Sequence, residues 1–186
     1  MKRKIGLFIV FVLLMIGCSE KEIPQDKFYA NAGEWDTAKF PLVKPFYMFC
    51  WDGQNWMVVE DGYNGYKCNY GSTIYEVKRL KVFENLFLFW SYGDDWGNSI
   101  NGENHSESWF IIDMENKIKE GYPDYKSFSD TLYSQYQITV DTSSWREPKS
   151  YYEEFKKEHF MPWFPDSISN NRIRVKKDFL DWIKSW

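Results

Sequence analysis

Histidine is almost missing from this chain. His105 and His159 are its two histidines, and neither stands in an H-x-x-x-H spacing or beside a cysteine, which removes the common routes to a zinc site. The sequence also lacks a G-x-S-x-G elbow, a G-x-x-x-x-G-K-[ST] phosphate loop and a G-x-G-x-x-G turn. Nothing in it announces a nucleophilic hydrolase, a nucleoside triphosphatase or a dinucleotide-binding enzyme, and no cofactor or metal is implied. Basic charge is in deficit, with 23 Lys and Arg against 27 Asp and Glu. That balance argues against nucleic acid, whose phosphates demand a basic surface. Long apolar runs are confined to Ile5–Ile16, which is shorter than the roughly 20 residues a membrane-spanning helix needs.

What is present begins with that run. Met1-Lys2-Arg3-Lys4 is a basic start, Ile5–Ile16 is an apolar middle, and Gly17 is a small residue before a cut. This is the grammar of a secretory signal peptide. With Cys18 directly after Gly17, the segment resembles a bacterial lipoprotein signal. The resemblance implies that residues 1–17 are removed and that Cys18 is lipidated and becomes the new N-terminus. It also implies a cell-envelope location with a membrane contact through the lipid. Ser19, rather than Asp, follows the cysteine, and by the same resemblance the outer membrane is favoured in a cell that has one. A strand Trp109-Phe110-Ile111-Ile112-Asp113, a polar turn Glu115-Asn116-Lys117 and a following helix are similar to small bacterial lipoproteins whose domain has no assigned function.

Loss of residues 1–17 removes three basic residues and no acidic one, so the remaining 169 residues carry a net charge of −7. Assigning Cys18 to lipid leaves Cys50 and Cys68. They can pair in an oxidising compartment, closing 17 residues for roughly 3 kcal/mol, or remain two buried thiols; spacing does not choose. Aromatic residues make up 20% of the chain, with ten tryptophans. Tryptophan has a single G-rich codon, so an AT-rich genome does not explain its abundance.

Residues 18–38 are polar and weakly patterned and are expected to be a tether. Residues 39–186 are expected to form one α+β domain: an antiparallel meander of about five strands with C-terminal helices packed on it. Phe46–Trp51 and Trp56–Glu60 flank Asp52-Gly53-Gln54-Asn55, a hairpin signal because Gly and Asn tolerate positive φ. A second hairpin pairs Ile74–Phe83 with Leu86–Tyr92, and a further strand over Ser108–Met114 follows a polar loop at Gly93–Glu107. Leu86–Trp90 and Trp109–Ile112 do not alternate, so both faces of these strands should be covered. Asp124 or Ser127 caps a helix running to about Gln137, and Tyr151, Tyr152, Phe155 and His159 mark a second. Val175, Phe179, Leu180, Trp182, Ile183 and Trp186 form an apolar stripe. Lys176, Lys177 and Lys184 would suit a membrane-surface helix, whereas Asp178 and Asp181 favour a helix docked on the core.

Two constellations can bind something. The loop 93–107 clusters Asp94, Asp95, Glu103, His105 and Glu107 around Trp96, although EF-hand spacing is absent. Trp51, Trp56 and Trp96, with Tyr63, Tyr66 and Tyr70, can form an aromatic platform for a sugar ring or anchor a protein interface. The sequence therefore leads to a lipid-anchored envelope protein with a non-enzymatic binding role towards a protein partner of the inhibitor, immunity or assembly type. A cell-surface carbohydrate-binding module, using exposed Trp and Tyr, is the alternative.

Overall fold

The computed structural model describes residues 26–30, 32–33, 36–62, 65–83, 85–93 and 97–168. The expected signal peptide, Cys18, Tyr63, Asp94, Asp95, Trp96 and the stripe from Val175 to Trp186 lie outside the described residues.

The chain opens with a helical turn, α1 (Lys27–Ala30), then β1 (Ala38–Pro41), β2 (Phe46–Cys50), β3 (Met57–Glu60), β4 (Lys67–Cys68) and β5 (Thr73–Ile74). The longer strands follow: β6 (Val77–Phe83), β7 (Leu86–Tyr92), β10 (Glu107–Asp113) and β11 (Ile118–Tyr122), with short β8 (Asn98–Ile100) and β9 (Glu103–His105) between β7 and β10. Helices α2 (Tyr125–Tyr136) and α3 (Pro148–Glu158) come last. Strands followed by helices make this an α+β fold, as expected. The strands form two sheets, one ordered β1-β2-β3-β5 and the other β4-β11-β10-β7-β6, with β8-β9 a separate ribbon. Pairing is antiparallel except between β4 and β11.

The two strands that lack alternation are covered on both faces from within the chain. Phe87 and Phe89 of β7 join Phe110 and Ile112 of β10 in a core shared with Phe40, Phe46, Met48 and Val58 of the first sheet. Leu86 and Leu88 join Trp109 and Ile111 on the opposite face, beneath Phe128 and Leu132 of α2. Successive side chains point to opposite faces of a strand, so a continuous apolar run fits a layer buried on both sides. Helix α3 sends Tyr151 and Phe155 into the inter-sheet core and lies against both β1 and β6.

Local signals account for the helix ends. Asp124 caps α2, its Oδ1 accepting the Ser127 N–H at 2.8 Å, and Gln137 closes it in the left-handed conformation. His159 ends α3 in the same way, its N–H donating to the Phe155 carbonyl at 2.7 Å. On the far side from α3, Lys119 of β11 and Glu60 of β3 tie the sheets together at 2.5 Å, with side chains 5% and 7% exposed.

Four expectations are corrected. Phe28 and Tyr29 of α1 are buried in the inter-sheet core, so the folded body already includes part of the span 18–38 expected to be a tether. The expected strand Ile74–Phe83 is split, because Ile74 pairs with Val58 in the first sheet and Val77 with Ser91 in the second. The crossing falls at Tyr75-Glu76, where Glu76 takes φ +53°. The loop Gly93–Glu107 contains the ribbon β8–β9, turned by Asn101 and Gly102 at φ +53° and +87°, an Asn-Gly hairpin turn. The turn at 114–117 leads into β11, not directly into a helix. Cys50 and Cys68 are free: Cys50 is buried in β2 of the first sheet and Cys68 is exposed on β4 at the margin of the second.

Candidate functional site: an aromatic ridge on the second sheet

The hairpin after β2 separates two tryptophans expected to act together. Asp52 organises the turn, its carboxylate accepting the N–H groups of Gln54 at 2.8 Å and Asn55 at 2.7 Å and the Asn55 side-chain amide at 2.7 Å. The Asn55 and Gln54 N–H groups stabilise the ionised form and hold this carboxyl at about 2. Trp51, before the turn, is 61% exposed, touched by the edge of the Phe49 ring at 5.9 Å and 81°. Trp56, after it, is buried against Phe40 at 5.5 Å and Tyr152 at 5.6 Å. Tyr70 is buried against Phe110 at 4.9 Å, and Tyr66 packs on Phe46 at 5.1 Å. The expected platform of Trp51, Trp56, Tyr66 and Tyr70 is therefore not assembled; three of the four are core or core-packed. His105 ends β9 opposite Asn98, half-buried.

A different aromatic surface is assembled on the second sheet. Directly opposed residues of antiparallel strands share a face, as do residues two apart along one strand. Trp90 lies opposite Trp109, and Tyr92 opposite Glu107. On the other side of Trp90, Arg79 of β6 is its partner in register. The Trp90 and Trp109 rings stack at 5.9 Å and 27°, and Trp90 and Tyr92 lie 6.3 Å apart at 33°. Tyr125, the first residue of α2, meets Trp109 at 5.0 Å and 62°. The Trp90 indole N–H donates to Glu107 Oε1 at 3.0 Å, which fixes the ring.

This ridge grades from core to solvent. Trp109 is packed beneath Tyr125, Phe128 and Trp145, while Trp90 is half-buried and Tyr92 and Tyr125 are 46% and 42% exposed. Arg79 and Glu107, both exposed, supply charge of each sign at its margin. Tyr133, further along α2, is exposed as well. Trp109 Nε1 is buried and has no acceptor among the described residues.

Asp113, at the far end of β10 from Glu107, accepts the N–H groups of Glu115 and Asn116, the Asn116 amide at 2.8 Å and the Tyr136 hydroxyl at 3.0 Å. Its lone pairs are thus committed to closing the β10–β11 turn and holding α2. Burial, and then the hydrogen bond to Asp113, raise the Tyr136 phenol well above its ordinary value, so it stays a neutral donor. No group of three or more His, Cys, Asp or Glu residues able to hold a metal occurs among the described residues.

Sequence reasoning placed Trp90 and Trp109 in two-sided strands and missed that they meet. The available signal was Trp90-x-Tyr92, two aromatics on one strand face, but the cross-strand partner depends on register. No family model, curated protein or solved structure matches this chain.

Proposed function

We propose that the chain is a lipid-anchored bacterial envelope protein with a non-enzymatic binding role, and that it engages a protein partner of the inhibitor, immunity or assembly type through the aromatic ridge. The leader ending at Gly17-Cys18 supports the anchor. The observation that carries the binding role is the pair of exposed tyrosines, Tyr92 and Tyr125, set around the Trp90–Trp109 stack with Arg79 and Glu107 at the margin. Trp, Tyr and Arg dominate protein-interface energetics. A sugar ring needs a free aromatic face, and Trp90 has Trp109 on one side and Tyr92 on another.

The carbohydrate reading has its own support in Trp51, the most exposed of the described tryptophans, met edge-on by Phe49. One experiment separates the two. A photo-crosslinker at Tyr133, beside the ridge, is used in whole cells, and Tyr92→Ala and Tyr125→Ala are introduced singly. The protein reading expects one discrete adduct whose yield falls about thirty-fold with either variant, the equivalent of about 2 kcal/mol for an interface hot spot. An unchanged adduct would remove the ridge from the interface, and glycan binding abolished by Trp51→Ala at constant melting temperature would replace the protein reading with the carbohydrate one. Turnover of a glycan or ester, lost on changing Asp94, Asp95 or Glu107, would end both.

A further inference from the structure

Opposite charges flank the aromatic ridge, and neither is neutralised within the described chain. Arg79 of β6 stands in register with Trp90 of β7, and Glu107 of β10 with Tyr92 of the same β7. Strand β7 runs between the two charges. Their Cα atoms are therefore two strand spacings and one side-chain row apart, roughly 12 Å. Both residues are exposed, and neither makes an ion pair among the described residues. Arg146, by contrast, holds Glu154 at 2.8 Å. Glu107 accepts the Trp90 indole N–H through Oε1, which leaves Oε2 facing outward from that bond.

The backbone of β6 is shaped to bring Arg79 to this face. Residues two apart on a regular strand point the same way, and Val77 points into the inter-sheet core. Between Val77 and Arg79 the register with β7 shifts: two steps along β6 match the single step from Ser91 to Trp90. Lys78 is thus the extra residue of a bulge, which turns Arg79 away from the core and beside Trp90. Leu80 then returns to the core opposite Phe89. A bulge gives up part of the strand ladder, and here it delivers an unpaired guanidinium to the margin of half-exposed rings.

Resting on the ridge as the protein interface proposed above, we propose that its partner is a second copy of this chain, the two ridges facing each other across a two-fold axis. In such an isologous contact, residue i of one copy meets residue j of the other and j meets i. A patch with one cation and one anion on opposite sides of an aromatic strip is self-complementary under that operation. An axis lying between Arg79 and Glu107 gives two equal Arg79–Glu107 pairs at the rim, with Trp90 and Tyr92 of both copies between them. The rings supply the adhesion, and the rim pairs fix register and orientation.

The test co-expresses two full-length copies with different affinity tags in whole cells, each with the photo-crosslinker at Tyr133. Adducts of twice the chain mass that carry both tags are expected. Arg79→Glu or Glu107→Arg in both copies should lower their yield about thirty-fold, because each puts two like-charge pairs across the axis. Arg79→Glu on one tag combined with Glu107→Arg on the other should restore the mixed adduct, since each rim contact then joins opposite charges again. A purely structural effect of either substitution would not be repaired in this way. Glu107→Gln keeps an acceptor for Trp90 but removes the charge, and should lower the yield about three-fold, which serves as the test should Glu107→Arg not fold. A mixed adduct no stronger than either single variant, or yields unchanged by Arg79→Glu and Glu107→Gln, would overturn the proposal. An adduct with one tag and the mass of a different protein would also overturn it while leaving the ridge as an interface. An adduct that is absent, or indifferent to Tyr92→Ala and Tyr125→Ala, would remove the ridge itself.

Discussion

Replacing Lys119 by Met is expected to be among the most damaging single changes in this protein. The Lys119 ammonium sits 2.5 Å from Glu60 Oε2, between strands of different sheets, with rings of Phe46 and Tyr70 at 5.8 Å and 5.6 Å from the nitrogen. Both side chains are over nine-tenths buried. Methionine fills a similar volume but leaves the Glu60 carboxylate inside an apolar wall without its counter-charge. Breaking one side of a buried pair costs about 3–5 kcal/mol. For a domain of this size each kcal/mol moves the melting temperature by about 2–4 °C, so a fall of roughly 6–20 °C is expected. Removing both charges is a different matter. Glu60→Leu combined with Lys119→Met exchanges the ion pair for apolar packing and should return stability to within about 1 kcal/mol of the original, or above it. Thermal melts followed by circular dichroism on the two single variants and the double variant close the cycle. The reasoning is refuted if Lys119→Met melts within 2 °C of the original, or if the double variant is no more stable than the worse single one.

The two described thiols should react at different rates. Burial raises the Cys50 thiol above its ordinary value, while Cys68 is exposed, so iodoacetamide at pH 8 should label Cys68 in the native protein and Cys50 only after unfolding; no label in unfolded, unreduced protein would mean a disulfide instead. Asp52, held at about 2 against an ordinary 3.8, contributes stability that is complete above about pH 4 and is lost as pH falls towards 2. Asp52→Asn should lower stability at pH 7 and draw level with the original as pH falls towards 2, flattening the profile in that window; a profile still as steep would show that another group governs it. Gly121→Ala places a methyl 2.9 Å from the Phe110 ring and 3.0 Å from Ile100, and an overpacking cost of about 1–3 kcal/mol should appear as a lower urea midpoint.

Features set by neighbouring residues were legible in the sequence. The Asp52–Asn55 turn, the Asp124 cap and the two-sided cover of β7 and β10 each follow from residue chemistry within a few positions. Features set by register were not. Trp51 and Trp56 flank one turn and read alike, yet one is solvent-facing and the other lies under Phe40 and Tyr152. The run from Ile74 to Phe83 looks continuous, and only tertiary pairing reveals that it changes sheets at Glu76. The ribbon β8–β9 is built from Asn98-Ser99-Ile100 and Glu103-Asn104-His105, whose polarity silences hydrophobic periodicity; the Asn101-Gly102 pair was its one local mark. The ridge itself needed the pairing of Trp90 with Trp109, a long-range fact.

Helix α3, which lies against the outermost strands of both sheets, also has a bearing on how the chain avoids aggregation. The run Leu86-Phe87-Leu88-Phe89-Trp90 has no charge, no proline and strong β preference, the signature of a segment that self-associates when its neighbours are missing. Its flanking strand β6 bears Lys78, Arg79 and Lys81, charges that discourage strand addition from outside. Part of the cover over β6 and β1 is supplied by residues 148–158, synthesised after every strand described here, beside the backbone hydrogen bonds of Arg146 to Leu80 and of Lys39 to Ala32. During synthesis the sandwich therefore lacks this helix until residues 148–158 arrive, and a chain stopped before Pro148 is expected to self-associate more readily than the full chain.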